Sequence, residues 1–481
     1  MPERYYSSIR DILSAIGSIR RWLTRNKALL ITMTAILLFN IATHYQNLAK
    51  HNILIFDEWY HAKFAWNYLN GVPFFDIHPP LGKLMIAWGI WINDHLNPFS
   101  PDIFTVDTFT DRSGYNPDFI VNTWGARWLT ALFGVMLPFV MGIFSYSWTA
   151  DKRLMVITTI ISSCDGLMLA ESRLSLINIF LVVFGFASLT CFLWWSNPRL
   201  ADPQWLLWCG SILMGCCISI KFNGLGYLGT LLTIYLLFLI TNQMKLSVWH
   251  IPTLRDIGLF IFVIPIAIYI GLWMIHFEFN RDDLLTVHRQ IWEGNQQLAQ
   301  MWKETPEKEN AYCSRWWTWF WLQRPIAYFF QSSPTHYTAI YAITNPLLHY
   351  LSSLMVGIFP IFLYIDTYDL LTLRFCLHFR FHELMMVYGV LIGWSANYLP
   401  WALVGRCLFL YHYTASLYFS IVLISYLIYR FMFSQQLLLK FIGCSMMFLI
   451  PLAFMYWLPI FIGIPIPHAN YDQLFLFDSW R

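Results

Sequence analysis

The sequence predicts an all-α polytopic membrane protein with about eleven crossings, and three observations carry that prediction. Of its 481 residues 58% are hydrophobic and only 12% are charged, whereas about a quarter of a soluble domain is charged. Mean hydropathy is +0.51. Apolar stretches of about 17–25 residues recur along the chain, each long enough to cross ~30 Å of hydrocarbon as a helix. The ~10-residue alternating segments of a membrane barrel are absent.

The first apolar run, about 28–45, follows a basic stretch that includes Arg20, Arg21, Arg25 and Lys27. It lacks a small-residue cleavage site, so it reads as a retained crossing. A long loop, about 46–120, comes next with Asp57-Glu58 at its head. Its aromatic residues Trp59, Tyr60, Phe64, Trp66 and Tyr68 suit a short interfacial helix, and Leu81–Ile92 suits a second. Crossings are expected near 120–148, 154–170, 174–195, 205–220, 224–241 and 256–276. As one helix, 205–241 would be about 55 Å long, so the polar break Lys221-Phe222-Asn223-Gly224 divides it. The 277–345 segment carries Trp292, Trp302, Trp316, Trp317, Trp319 and Trp321, read as interfacial anchors rather than stacking platforms. Runs near 346–366, 384–400, 408–429 and 439–463 complete the count. The expected division is 1–276, 277–345 and 346–481.

Basic residues occupy alternate loops: the N-terminal segment, Lys152/Arg153, Arg199, Lys245/Arg255, Arg374/Arg380 and Arg430/Lys440. The positive-inside rule puts these in the cytoplasm, the N-terminus inside and the C-terminus outside. The net charge of +3 with no basic tract gives no reason to expect nucleic acid. Six of the nine cysteines fall in apolar runs, and Cys313 stands alone in its loop. None of the spacings suits zinc or a CxxC pair, so neither a disulfide framework nor a cysteine metal site is expected.

The remaining loops collect polar residues with no topological duty. Arg127, Arg173, Lys221 and Arg406 stand at outer helix ends, which suits a site for an anionic headgroup; snorkelling to lipid phosphate is the alternative. The adjacent acids Asp57 and Glu58 point in different directions on any regular backbone, which favours two separate roles. A carboxylate there can accept a hydroxyl proton or cap the following helix, and spacing alone leaves these two readings balanced. Asp76 and the rigid turn His78-Pro79-Pro80-Leu-Gly-Lys83 follow, with His78 suited to an anionic group but not to a metal box. P-loop, GxSxG, HExxH and dinucleotide fingerprints are absent.

Taken in order, these residues resemble a known family. Phe56-Asp57-Glu58 with Phe74-Phe75-Asp76-Ile77-His78-Pro79-Pro80-Leu81-Gly82-Lys83 resembles the first outer loop of the protein O-mannosyltransferases. The stretches starting at Arg127 and at Glu171-Ser172-Arg173, then Gly215 to Gly224, Trp316–Tyr328 and Tyr398 to Tyr413 resemble later parts of that family. Two departures stand out. Asn178 occupies a position where the family has an acid, and 277–345 is too short for the β-trefoil domain of eukaryotic members.

The resemblance implies a GT-C-type glycosyltransferase that moves mannose from polyprenyl-phosphate mannose to Ser/Thr hydroxyls, with inversion. Asp57 would be the general base, and Glu58 would bind acceptor or align the site. Asp76, His78, Lys83, Arg127, Arg173, Lys221, Arg406 and His412 would bind substrate. It also implies a bacterial-type member in the inner membrane, with its site on the outer face and with lipid-linked sugar, acceptor protein and membrane lipids as partners. The oligomeric state stays open. A divalent cation is compatible with the class, but no ligand set beyond the acid pair supports one. The rival readings are a GT-C transferase of another sugar or onto a lipid, of the aminoarabinose-transferase kind, and a transporter or flippase.

Overall fold

In the computed structural model every one of the eleven apolar runs is helical. The structure describes residues 26–51, 53–96, 110–111, 114–115, 122–246, 248–304, 312–372 and 381–481. Arg20, Arg21, Arg25, Arg374 and Arg380 of the expected cytoplasmic set lie outside the described residues.

The chain opens with α1 (Lys27–Tyr45), then α2 (Glu58–Asn70) and α3 (Leu81–Leu96), the two helices expected in the first loop. A two-residue hairpin, β1 (Thr110–Asp111) and β2 (Gly114–Tyr115), precedes α4 (Thr123–Thr149). The next run is broken into α5 (Lys152–Ser162) and α6 (Gly166–Ser172), bent by 67°. Asp165 causes the break by starting a helix of its own: its carboxylate accepts from the Leu167 and Met168 amides. Then come α7 (Asn178–Ser196), α8 (Trp205–Ile218) and α9 (Leu225–Gln243). The break predicted at Lys221 is present as a 3-10 turn, Phe222–Gly224. Gly224 is required there, because a Cβ would lie 2.8 Å from the Cys217 carbonyl oxygen.

α10 (Leu254–Asn280) contains a π-helical stretch, Ile257–Val263, and is followed by α11 (Leu284–Glu304). The last helices are α12 (Pro346–Thr372), α13 (Phe381–Tyr398), α14 (Thr414–Met432) and α15 (Leu437–Ile462). Among the described residues, seven helices are long and apolar enough to span a membrane, or eight with α5–α6 as one bent span. Length and composition therefore do not reach eleven. Trp205–Ile218 and Pro346–Ile361 are apolar but shorter.

Burial sorts the bundle. The spans containing α7 and α14 are each 72% buried, against 17% for α1 and α15, so the former are central and the latter peripheral. Part of the 277–345 segment departs from helix. Strands β3 (Ile326–Ser332) and β4 (His336–Ala342) form an antiparallel hairpin, joined at its edge by β5 (Ile466–Pro467). Its tryptophans divide as well. Trp292, Trp317 and Trp321 are exposed, but Trp319 is buried and its indole N–H donates to Ser314 Oγ at 2.8 Å, so it is a packing residue and not an anchor.

The cysteine reading needs one correction. Cys313 is not alone: it is bonded to Cys407, 94 residues away, with Cα atoms 5.4 Å apart. No spacing rule reaches a partner so distant in sequence.

Candidate active site

Phe56 has φ of 55° at the entry to α2, and Asp57 and Glu58, successive residues at the head of that helix, point in different directions. Glu58 is fully buried. Its two oxygens receive Arg127 Nε (2.8 Å) and Nη2 (2.6 Å), the Ile55 amide (2.8 Å), the Ser175 amide (2.7 Å) and the Ser175 hydroxyl (3.0 Å). A carboxylate this saturated has no capacity left for a substrate. Of the two roles expected for Glu58, binding acceptor or aligning the site, this geometry fits the second.

One of the four expected phosphate-binding cations, Arg127, is corrected for the same reason. The remaining donors of Arg127 reach the carbonyls of Leu48, His51 and Ile53. Arg173 donates to the carbonyls of Thr43, His44 and Gln46, which end α1. Both guanidiniums knit the α1–α2 connection to the bundle; Arg127 has all five donors engaged, whereas the bonds of Arg173 use only its Nη1 and Nη2. Lys83 is also buried and committed: it is paired with Asp76 and donates to the His78 carbonyl at 2.6 Å. The Asp76–Lys83 pair fixes the His-Pro-Pro turn, so both act through the turn rather than as open ligands.

Asp57 differs from all of these. It occupies the N-cap position of α2 yet makes no side-chain cap hydrogen bond. Among the described residues no hydrogen bond or ion pair holds its carboxylate, so the hydrogen-bonded cap that spacing allowed is not formed. Burial pushes its pKa up to about 6, against the nearby positive charge of Lys221, and Asp76 pushes in the same direction as burial.

Lys221 is buried at the break before α9 and donates to Asn178 Oδ1 at 2.8 Å. The Asn178 amide donates in turn to Glu171 Oε2 at 2.7 Å, and the Tyr328 hydroxyl donates to the other Glu171 oxygen. Asn178 thus links carboxylate to ammonium without adding a negative charge of its own. The Lys221 ammonium lies 5.6 Å from the centre of the Tyr411 ring. Burial draws its pKa down to about 8, opposed by Glu171 and Asp57.

A cavity of about 570 Å³ opens beside Lys221 and His78, and Arg406 and His412 also line it. It continues along Gly226 and Gly229 of α9 and Ala396 and Pro400, an apolar groove with a cationic head. Among the described residues nothing pairs with the Arg406 guanidinium. Burial and the cations Lys221, Lys83 and Arg406 keep His78 well below its usual pKa, so it is neutral. His412 has Nδ1 3.0 Å from the Phe409 amide nitrogen and stands against Trp401.

The sequence-based set is thus split. His78, Lys221, Arg406 and His412 line one cavity and Asp57 lies in the field of Lys221, whereas Glu58, Arg127, Asp76 and Lys83 form the frame and Arg173 holds the end of α1. Glu171, Asn178 and Tyr328 complete the site and were absent from that set; their signals were the Glu171-Ser172-Arg173 stretch, the departure at Asn178 and the Trp316–Tyr328 resemblance. Among the described residues no group of three or more His, Cys, Asp or Glu is arranged to hold a metal.

The fold is of the GT-C type, an all-α membrane bundle, here with cations at one end of an apolar groove. The match to the dolichyl-phosphate-mannose-protein mannosyltransferase model covers residues 34–279, and that to the C-terminal four-helix region of protein O-mannosyltransferases covers residues 281–480. The chain belongs to this protein mannosyltransferase family. It is 28% identical over 271 residues to protein O-mannosyltransferase 1 of Drosophila pseudoobscura pseudoobscura, covering 52% of this chain and 26% of that protein. It is 21% identical over 497 residues to the polyprenol-phosphate-mannose–protein mannosyltransferase of Mycolicibacterium smegmatis, covering 89% and 87%. The chain thus spans about a quarter of the first of these relatives and most of the second. The S. cerevisiae Pmt1–Pmt2 complex bound to its sugar donor has the same fold: TM-score 0.77, 13% identity, 94% of this chain and 92% of that one.

Proposed function

We propose that this protein transfers mannose from polyprenyl-phosphate mannose to Ser or Thr hydroxyls of proteins, at the outer face of a bacterial inner membrane. The observation that carries the reading is an unpartnered, half-buried Asp57 carboxylate within the field of the buried Lys221 ammonium, which opens onto the groove with Arg406. The groove suits a lipid tail, and the cationic head suits its phosphate.

In the reaction the acceptor oxygen attacks C1 of the mannose from the side opposite the phosphate. Its proton passes to Asp57, the C1–O bond breaks, and lipid phosphate departs with the electron pair. A phosphate leaves without a general acid, so what the step needs is positive charge where negative charge grows. Lys221 supplies it, Arg406 holds the phosphate equally before and during the step, and Glu171, through Asn178, orients Lys221. Single displacement inverts the anomeric centre. The Mycolicibacterium relative, of similar length, supports the bacterial reading, and a disulfide at this end of the molecule fits an oxidising compartment.

The deciding experiment supplies purified protein with labelled polyprenyl-phosphate mannose and Ser/Thr peptides. Label is expected in peptide, and label entering only lipid would overturn the assignment of the acceptor.

A further inference from the structure

Arg406 is carried by a stretch, 404–409, that no helix or extended ladder supports. Leu403 before it is 89% exposed, and a Cβ placed on Gly405 would meet nothing within 4 Å. On that side one turn hydrogen bond, from the Val404 amide to the Trp401 carbonyl (3.2 Å), holds the backbone. After Arg406 the chain is held firmly. Cys407 is bonded to Cys313, and the Ser314 amide donates to the Leu408 carbonyl at 2.8 Å. The Ser314 hydroxyl donates to the same oxygen at 3.1 Å.

The far end of the bridge is rigid. Ser314 accepts from the indole of Trp319 (2.8 Å), which is 1% exposed. Trp319 packs against the rings of Tyr398, Trp401 and His412, and its carbonyl lies 3.0 Å from His349 Nε2.

We infer that the Cys313–Cys407 disulfide is a positioning element of the donor site, fastening Arg406 beside the groove by tying its loop to the buried Trp319. This rests on the reading of Arg406 as a cation for the lipid-linked phosphate. Arginine has many rotamers, so a guanidinium on a slack loop loses more freedom on binding than one whose backbone is already set. Opening the bridge leaves the charge and the Ser314–Leu408 hydrogen bonds in place but frees Cys407, the residue next to Arg406, from its covalent tie.

The test uses the full chain in lipid nanodiscs, with polyprenyl-phosphate mannose and a Ser/Thr peptide. Donor KM and kcat are measured for the oxidised protein, for the protein after reductant with thiol tagging of Cys313 and Cys407, and for the C313S/C407S variant. Each is repeated with Arg406→Gln. Opening the bridge should raise donor KM about tenfold, the worth of one charge-assisted hydrogen bond, with kcat nearly unchanged. With Arg406→Gln already present, opening it should add nothing. A protein merely losing its fold shows the reverse split, a falling kcat at constant KM. The inference is overturned if KM is unmoved after verified opening, or rises equally in the Arg406→Gln background. If the double serine variant does not fold, the reductant series on folded wild type decides. If the oxidised protein transfers no mannose, the proposed function fails separately, and the same comparison on Kd for undecaprenyl phosphate decides the role of the bridge.

Discussion

At the scale of single residues, Asp57 and Lys221 make opposite demands on pH. Asp57 must be ionised to accept a proton, so the rate should fall as pH drops through about 6. Lys221 must be protonated to attract phosphate, so it should fall again as pH rises through about 8. A bell-shaped profile of kcat/KM with limbs near these values is expected, and Lys221→Arg should move the alkaline limb upward. A profile flat from pH 5 to 9 would remove both roles. Asp57→Asn should cost about 10²–10⁴-fold in kcat, the usual worth of a general base. Its melting temperature should stay close to wild type, since among the described residues no hydrogen bond uses that carboxylate. Unchanged transfer by this variant would eliminate the proposed base.

At the scale of elements, Glu58 does for the fold what Asp57 does for the chemistry. It ties the head of α2 to α4 through Arg127 and to the segment before α7 through Ser175. Glu58→Ala would leave a buried guanidinium half-paired, which costs about 3–5 kcal/mol; a large drop in denaturant or thermal midpoint should show it. The groove along α9 offers a cleaner separation of binding from folding. A Cβ on Gly229 meets nothing within 4 Å, whereas one on Gly226 would lie 2.3 Å from Asn397 Oδ1. Gly229→Phe should therefore obstruct the lipid tail, raising donor KM with stability kept. Gly226→Ala should instead destabilise, by about 1–3 kcal/mol as overpacking does. Equal effects of the two substitutions on melting temperature would contradict the groove's open geometry. The same elements show what was legible in the sequence. Apolar runs and the Lys221 break were readable because period and length report on helices directly. The acid pair stood out because charge is rare here. What Arg127 and Arg173 bind was not readable, since their partners are mostly backbone carbonyls, which carry no residue signature. Tyr328 and Cys407 reach their partners across 157 and 94 residues, and such closures depend on the packed bundle rather than on local pattern.

At the scale of the whole molecule, the loops sort into two ends as their charges require. Asp151, Arg199, Lys245 and Glu383 line one shared cavity of about 700 Å³, and Lys152 donates to Asn26 next to α1 (2.9 Å). These loops were grouped on one side by their basic residues alone, and they meet in space. Asp57, Lys221, Arg406 and the Cys313–Cys407 bridge converge in a separate set of loops. Alternating loops that segregate this way support the proposed sidedness, because cytoplasmic loops are enriched in Lys and Arg and stable disulfides belong to oxidising compartments. Labelling of single introduced cysteines tests it. Gln297 on α11 and Gln435 between α14 and α15 are both exposed, so neither substitution disturbs packing. In intact cells a membrane-impermeant maleimide should label Gln297→Cys, but Gln435→Cys only after permeabilisation. The opposite pattern would put the groove's cationic head on the cytoplasmic side, and the acceptor could not then be a protein on the outer face.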